Sequence, residues 1–194
     1  MYLTVFKMTR DSILNSMHPL NINSGNTVHK LLTSCQDTSR AEGKILYKII
    51  ESGDEIYLYV QTKDKFNREG IEGRGLVFVK EMYLDYDSIL GVYDFDVQVF
   101  PNYINSQGKH YFITDTHKRF EWLCRQFNKN GIDILNCKEY KMSNITVDRD
   151  KAVLVRTISY RGQIMIKDSN QAKELFENGI GRMKNYGLGL VLIR

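Results

Sequence analysis

The chain has 194 residues, a formal net charge of +4, 42% hydrophobic residues and 26% charged residues. This composition excludes a disordered tail, and no apolar run approaches the roughly 20 residues that a membrane-spanning helix needs. The three cysteines, Cys35, Cys124 and Cys137, stand far apart with no CxxC pair, which argues against a disulfide framework and against a zinc knuckle.

Tyr2 to Met8 (YLTVFKM) alternates and is rich in β-formers, which predicts an opening strand. A polar stretch, NSMHPLNINSGN, follows. In TVHKLLTSC, Val28, Leu31, Leu32 and Cys35 fall at i, i+3, i+4 and i+7, one stripe of an amphipathic helix. KILYKIIESGDEIYLYVQT reads as two strands about a Ser-Gly-Asp turn, a hairpin. KDKFNREGIEGRG is loop-like, and LVFVKEMYLD is a further strand. The order β-α-β-β-(loop or short helix)-β over residues 1 to about 85 is close to that of a ferredoxin-like unit.

The second half repeats the theme. YDFDVQVF and GKHYFIT are predicted strands. THKRFEWLCRQFNKNG is a helix, with Phe120, Leu123, Cys124 and Phe127 on one face and Gly131 as its C-cap. ILNCKEYKM and AVLVRTISYRG are strand patterns flanking SNITVDRD, and GQIMI comes next. Asp168 can N-cap the helix SNQAKELFEN, which stops at Gly179, and LGLVLIR is the closing strand. The expectation is an α+β protein of two tandem ferredoxin-like domains with antiparallel sheets, residues 1–90 and 91–194, divided near Asp87 to Val92. The opening MYLTVFKMTR lacks the layout of a secretory signal, so a cytoplasmic location is expected.

Charge is uneven. Residues 1–97 hold 11 Lys/Arg and 14 Asp/Glu, a net −3, while residues 98–194 hold 16 and 9, a net +7. The basic half is the one suited to an anionic partner, nucleic acid first. That half ends in GIGRMKNYGLGLVLIR, with glycines at 179, 181, 187 and 189. A Rossmann loop runs strand, glycines, helix, so that pyrophosphate meets a helix N-terminus. Here the glycines follow a helix and precede a strand, and there is no Walker GK[ST], which rejects a dinucleotide or nucleotide site. Gly179 serves as a helix stop. Gly181, Gly187 and Gly189 surround Arg182, Lys184 and Asn185, a mixture that suits close approach of a phosphate backbone.

GIGRMKNYGLGLVL closely resembles the C-terminal glycine-rich loop of the CRISPR-associated repeat-processing endoribonucleases of the CasE type, within the RAMP superfamily. The likeness extends over the chain, through MYLT, TVHKLL, ILYKII, FDVQVFPN with Gln107-Gly108-Lys109, Glu121-Trp122-Leu123 and SYRGQIMIKD. The resemblance implies two tandem ferredoxin-like folds. It further implies cleavage of the CRISPR precursor RNA at the foot of the repeat hairpin, and retention on the mature guide RNA with other subunits of a type I-E surveillance complex. No membrane partner and no cofactor are implied.

RNA carries its own nucleophile, the 2′-hydroxyl beside the scissile phosphate. An enzyme must align that attack, offset the added negative charge and protonate the leaving 5′-oxygen. The expected products are a 2′,3′-cyclic phosphate and a 5′-hydroxyl. His29, one step from the apolar stripe of its helix, matches the family's histidine and is the catalytic candidate. Family members often carry a tyrosine one helical turn before it, where this chain has Asn26, a departure that favours a non-catalytic RNA-binding subunit as the alternative. His18 is a second candidate; His110 and His117 read as surface residues. Arg182 and Lys184, with Asn185, Gly181, Gly187 and Gly189, are expected to hold phosphates. The resemblance places Arg149 and Lys151, in VDRDKAV, on a basic hairpin that enters a groove of the RNA stem, and Arg156 is a further RNA-binding candidate. No metal ligands are expected, because no His or carboxylate pair has ligand spacing.

Overall fold

The computed structural model of the protein describes residues 1–9, 25–35, 44–69, 76–147 and 153–194. The polar stretch with His18, the GIEGRG part of the central loop, and Arg149 and Lys151 lie outside the described residues. The chain divides into two units. The first holds Met1–Leu84, Ile145–Val153 and Lys184–Gly187; the second holds Asp85–Asn144, Leu154–Met183 and Leu188–Arg194.

The first unit is built from β1 (Tyr2–Thr9), α1 (Gly25–Ser34), β2 (Leu46–Ser52), β3 (Glu55–Thr62) and β4 (Val77–Tyr83). Its sheet has the order β2-β3-β1-β4 with antiparallel neighbours, the order of a ferredoxin-like unit. The four residues of the expected stripe, Val28, Leu31, Leu32 and Cys35, are all buried. They pack with Phe6, Tyr47, Leu58, Val60 and Phe66 in one core cluster. Each of the two leucines contributes about 1.5–3 kcal/mol through burial, so the stripe anchors α1 to the sheet. His29 is half-buried beside that stripe.

The second unit is built from β5 (Gly91–Val99), β6 (Asn102–Ile104), β7 (His110–Phe112), α2 (Thr116–Asn128), β8 (Ile132–Val147), β9 (Val153–Ile166), α3 (Ser169–Asn178) and β10 (Val191–Ile193). Its main sheet runs β10-β5-β9-β8. The tandem ferredoxin-like architecture expected from the sequence is the observed one.

Local details differ from the sequence expectations. GKHYFIT is extended only at β7, which pairs with β6 in a separate two-stranded ribbon and not with the main sheet. Pro101, which lacks a backbone N–H, stands between β5 and β6, where the chain leaves the sheet. The buried face of α2 carries Arg119, Trp122, Leu123 and Phe127, while Phe120 is exposed. Trp122 supplies the apolar bulk there, and Arg119 is tolerated in the interior because its guanidinium is hydrogen-bonded on every side. The helix ends at a right-handed Lys129, and Gly131, two residues on, takes the left-handed conformation. β8 continues through the β-branched run Ile145, Thr146 and Val147, and AVLVRTISYRG and GQIMI form a single strand, β9. Asp168 caps α3 as expected, accepting from the N–H groups of Asn170 and Gln171. Among the described residues no helix is long and apolar enough to cross a membrane.

Candidate nucleic-acid site

Between α3 and β10 the backbone enters the left-handed region repeatedly. Gly179, Gly181, Gly187 and Gly189 have φ of 65, 72, 82 and 85°, and Met183 has φ 63°. Lys184–Tyr186 forms one turn of 3-10 helix inside this stretch. Two of the glycines are required for reasons that can be stated atom by atom. A Cβ on Gly187 would lie 2.8 Å from Cε2 of Tyr47. A Cβ on Gly189 would lie 2.3 Å from the Ile180 carbonyl oxygen, across a close backbone approach in which the Ile180 N–H donates to the Gly189 carbonyl at 2.9 Å. At Gly181 the neighbour is the Trp122 ring, 3.1 Å from the position of a Cβ.

The amides of this loop are largely committed to the protein itself. Gly179 donates to Leu175, Gly187 to Lys184 and Gly189 to Gln98, at 2.7, 3.1 and 2.8 Å. The expectation of a glycine amide cradle for phosphate therefore narrows. The glycines fold the loop, and the groups turned outward are side chains. Arg182 and Asn185 are exposed and Lys184 is half-buried. Met183, between the two cations, holds a left-handed conformation that costs a residue with a Cβ about 1–2 kcal/mol. Strain of that kind persists where the surroundings fix the backbone.

Tyr47 on β2 seats the turn. Its ring is fully buried, and its hydroxyl donates to the Asn185 carbonyl at 3.2 Å. Burial, with Tyr186 adding to it, pushes that hydroxyl well above the ordinary tyrosine range, so it stays protonated and stays a donor. α1 packs against the same turn. The helix of His29 and the turn of Lys184, about 155 residues apart in sequence, are thus neighbours within the first unit, together with Asn185 and Gly187.

The remaining candidates distribute as follows. Gly181, Arg182, Gly189 and Arg156 belong to the second unit. Arg156 is exposed on β9, its guanidinium carbon 5.5 Å from the centre of the Phe112 ring. His110 is half-buried, its Nδ1 2.6 Å from the Asn102 amide nitrogen, while His117 pairs with Glu121 on the exposed side of α2, so the surface reading fits His117 alone. Among the described residues no three His, Cys, Asp or Glu side chains group as metal ligands would. Sequence reading missed Tyr47, which looks like one more core aromatic in an alternating strand. It also missed Arg119, whose guanidinium donates to both oxygens of Glu139 at 2.8 and 2.7 Å, to the Ile113 and Thr114 carbonyls and to Thr116 Oγ1.

Three comparisons with known proteins bear on this geometry. The family model described as CRISPR associated protein matches residues 1–194. Among solved structures, a CRISPR endoribonuclease Cse3 bound to a 19-nucleotide RNA superposes with a TM-score of 0.89 at 16% identity, covering 100% of both chains. The Thermus thermophilus Cse3 bound to an RNA representing a pre-cleavage complex gives 0.83 at 15% identity, again over 100% of both chains. A chain of a CRISPR RNA-guided surveillance complex gives 0.71 at 18% identity, over 100% of this chain and 98% of that one. No curated protein sequence matches the chain. At these identities the structural likeness speaks for the fold.

Proposed function

Because the chain belongs to the CRISPR associated protein family, we propose that it is a metal-independent endoribonuclease. On this reading it cuts CRISPR precursor RNA at the base of the repeat hairpin and stays on the mature guide RNA within a type I-E surveillance complex. The observation that carries the reading is the packing of the His29 helix against the Lys184 turn in one unit, with Tyr47 holding the turn in place. The Cse3 structures with RNA and the surveillance-complex structure support RNA and partner subunits as the ligands of this fold.

The chemistry needs few groups. The 2′-hydroxyl, losing its proton to water, attacks the adjacent phosphorus in line with the departing 5′-oxygen, whose bond to phosphorus breaks. His29 gives a proton to that oxygen, while Lys184 and Arg182 offset the charge that builds on the phosphate. Products carry a 2′,3′-cyclic phosphate and a 5′-hydroxyl. Duplex RNA is read through shape and backbone because its major groove is deep and narrow, so cations at duplex spacing serve the stem better than stacked aromatics. Arg149, Lys151 and Arg156 are assigned to the stem on this reading. Asn26, in place of the family's tyrosine, favours a second reading, a guide-RNA hairpin-binding subunit without cleavage.

The two readings separate in one experiment. His29→Ala should lower cleavage of a cognate repeat hairpin by about 10²- to 10⁴-fold while hairpin affinity stays within a few fold. A wild-type protein that binds the hairpin and never cuts it supports the second reading. Wild-type speed in the variant moves the acid to another residue.

A further inference from the structure

In the second unit's sheet the face of Phe95 packs on α2, its ring centroid 5.2 Å from that of Phe127, and among the described residues the opposite face borders a cavity lined by strand residues. In β5, Phe95, Val97 and Val99 are buried toward the core, so Asp94 and Asp96 point to the other face. The register brings matching rows across the strands. Asp94 stands opposite Gln163, Asp96 opposite Arg161 and also opposite Leu192, and the Asp94 backbone pairs with that of Arg194 at 3.1 and 3.0 Å. From β8, the Asn136 amide donates to Gln163 Oε1 at 2.8 Å, and the Tyr140 hydroxyl donates to the Asp96 carboxylate at 3.0 and 3.1 Å. These rows border an open cavity of about 540 Å³, in the range that holds one nucleotide.

The charges around this cavity alternate. Asp94, Lys138 and Arg194 are exposed, and Arg161, half exposed, lies with its guanidinium 3.9 Å from the centre of the Tyr140 ring. Two carboxylates would repel a bare phosphate track. The arrangement suits instead a flat group that offers donors along one edge and acceptors along another. Guanine is the base that carries two adjacent donors and, on its other edge, two adjacent acceptors. Its N1–H and N2–H groups match a carboxylate, and its O6 and N7 match a guanidinium.

We infer that the cavity-bearing face of the second sheet binds one unpaired guanine nucleotide, with Asp94 accepting from its N1–H and N2–H groups and Arg161 donating to its O6 and N7. Arg194 and Lys138 serve the phosphate of that nucleotide. This rests on the RNA reading above, in which the guanosine lies outside the duplex stem.

The test uses the full chain and the four nucleoside monophosphates, with binding followed by NMR shifts or calorimetry. GMP should bind about tenfold more tightly than AMP, CMP or UMP, the scale of one bidentate base contact. Asp94→Asn and Arg161→Gln should each remove that preference, with circular dichroism confirming the fold and hairpin affinity unchanged. Equal binding of the four nucleotides, no binding of any, or a GMP preference that survives both substitutions overturns the site. A wild-type protein that prefers GMP but ignores repeat hairpins would remove the RNA-processing reading and leave the guanine site standing.

Discussion

α1 and α2 are the same element in two units of ferredoxin-like topology, each following the first strand of its main sheet, yet their polar residues differ in kind. Arg119, on the fourth residue of α2, is 4% exposed, and its guanidinium is surrounded by Glu139, two carbonyls and a threonine hydroxyl. His29, on the fifth residue of α1, is half-buried on a helix that packs against the Lys184 turn. A buried cation saturated by its own protein has nothing left for a ligand. His29 stands instead on a helix that packs against the cationic turn. Equivalent places in the two units therefore hold polar residues in different surroundings, and place in the fold does not by itself assign a role.

The comparison breaks most sharply on substitution of those two residues. Arg119→Met should lower the free energy of unfolding by about 3–5 kcal/mol, because it leaves Glu139 partly buried without its cation. The surviving folded fraction should still cut RNA at close to normal speed. His29→Ala should do the reverse, and an unfolding cost as large as that of Arg119→Met would erase the distinction. The pH dependence carries a sign as well. Burial alone would raise the Glu139 carboxyl, but hydrogen bonds from Arg119 and Tyr160 outweigh it and hold the group below its ordinary range. Its contribution is therefore present at neutral pH and lost as pH falls through the carboxylate range. In Arg119→Met only burial and Tyr160 remain, and that loss should shrink or reverse, as urea melts at pH values from about 3 to 7 would show.

Next in size is the seat of the turn. Gly187→Val forces a β-branched side chain into a left-handed backbone and onto the Tyr47 ring, at a cost of about 1–3 kcal/mol from overpacking alone. Tyr47→Phe removes only the hydroxyl bond to Asn185, worth about 0.5–1.5 kcal/mol. Both should weaken hairpin binding more than they alter the far-ultraviolet circular dichroism. If Gly187→Val folds and binds RNA with unaltered affinity and salt slope, the turn has no part in the site.

Smaller still is the effect of single cations. Arg182→Ala and Lys184→Ala should each weaken hairpin binding and lower the slope of log K against log salt by about 0.7 to 0.9 for each phosphate that the variant no longer neutralises. An unchanged slope in both would take the loop out of the RNA interface. The smallest expected effect is that of Asn26→Tyr, which should leave cleavage the same or raise it. A fall would give the asparagine a role of its own.

The element order and the anchoring of α1 were legible in the sequence because they rest on local periodicity. Val28, Leu31, Leu32 and Cys35 recur at helical spacing and all four are buried; Asp168 stands where a cap must stand. Phe120 misled because a helix face is chosen by its partners: Arg119 becomes acceptable inside only through Glu139, about twenty residues on. The β6–β7 ribbon is too short to carry a periodic signal. The glycines of the last loop were visible, but their function is partly inward. That Gly187 rests on Tyr47 is a packing relation across about 140 residues, and no local pattern encodes it.

The central claim is that the His29 helix and the Lys184 turn serve an RNA cleavage in which the substrate provides the nucleophile. The most direct measurement is cleavage of a cognate repeat hairpin in excess EDTA, beside the same hairpin with a single 2′-deoxy substitution at the nucleotide before the scissile phosphate. The account predicts that the all-ribose RNA is cut to a 2′,3′-cyclic phosphate and that the substituted RNA is bound but stays whole. A strict requirement for Mg²⁺, or cutting of the 2′-deoxy RNA at the same bond, would contradict it.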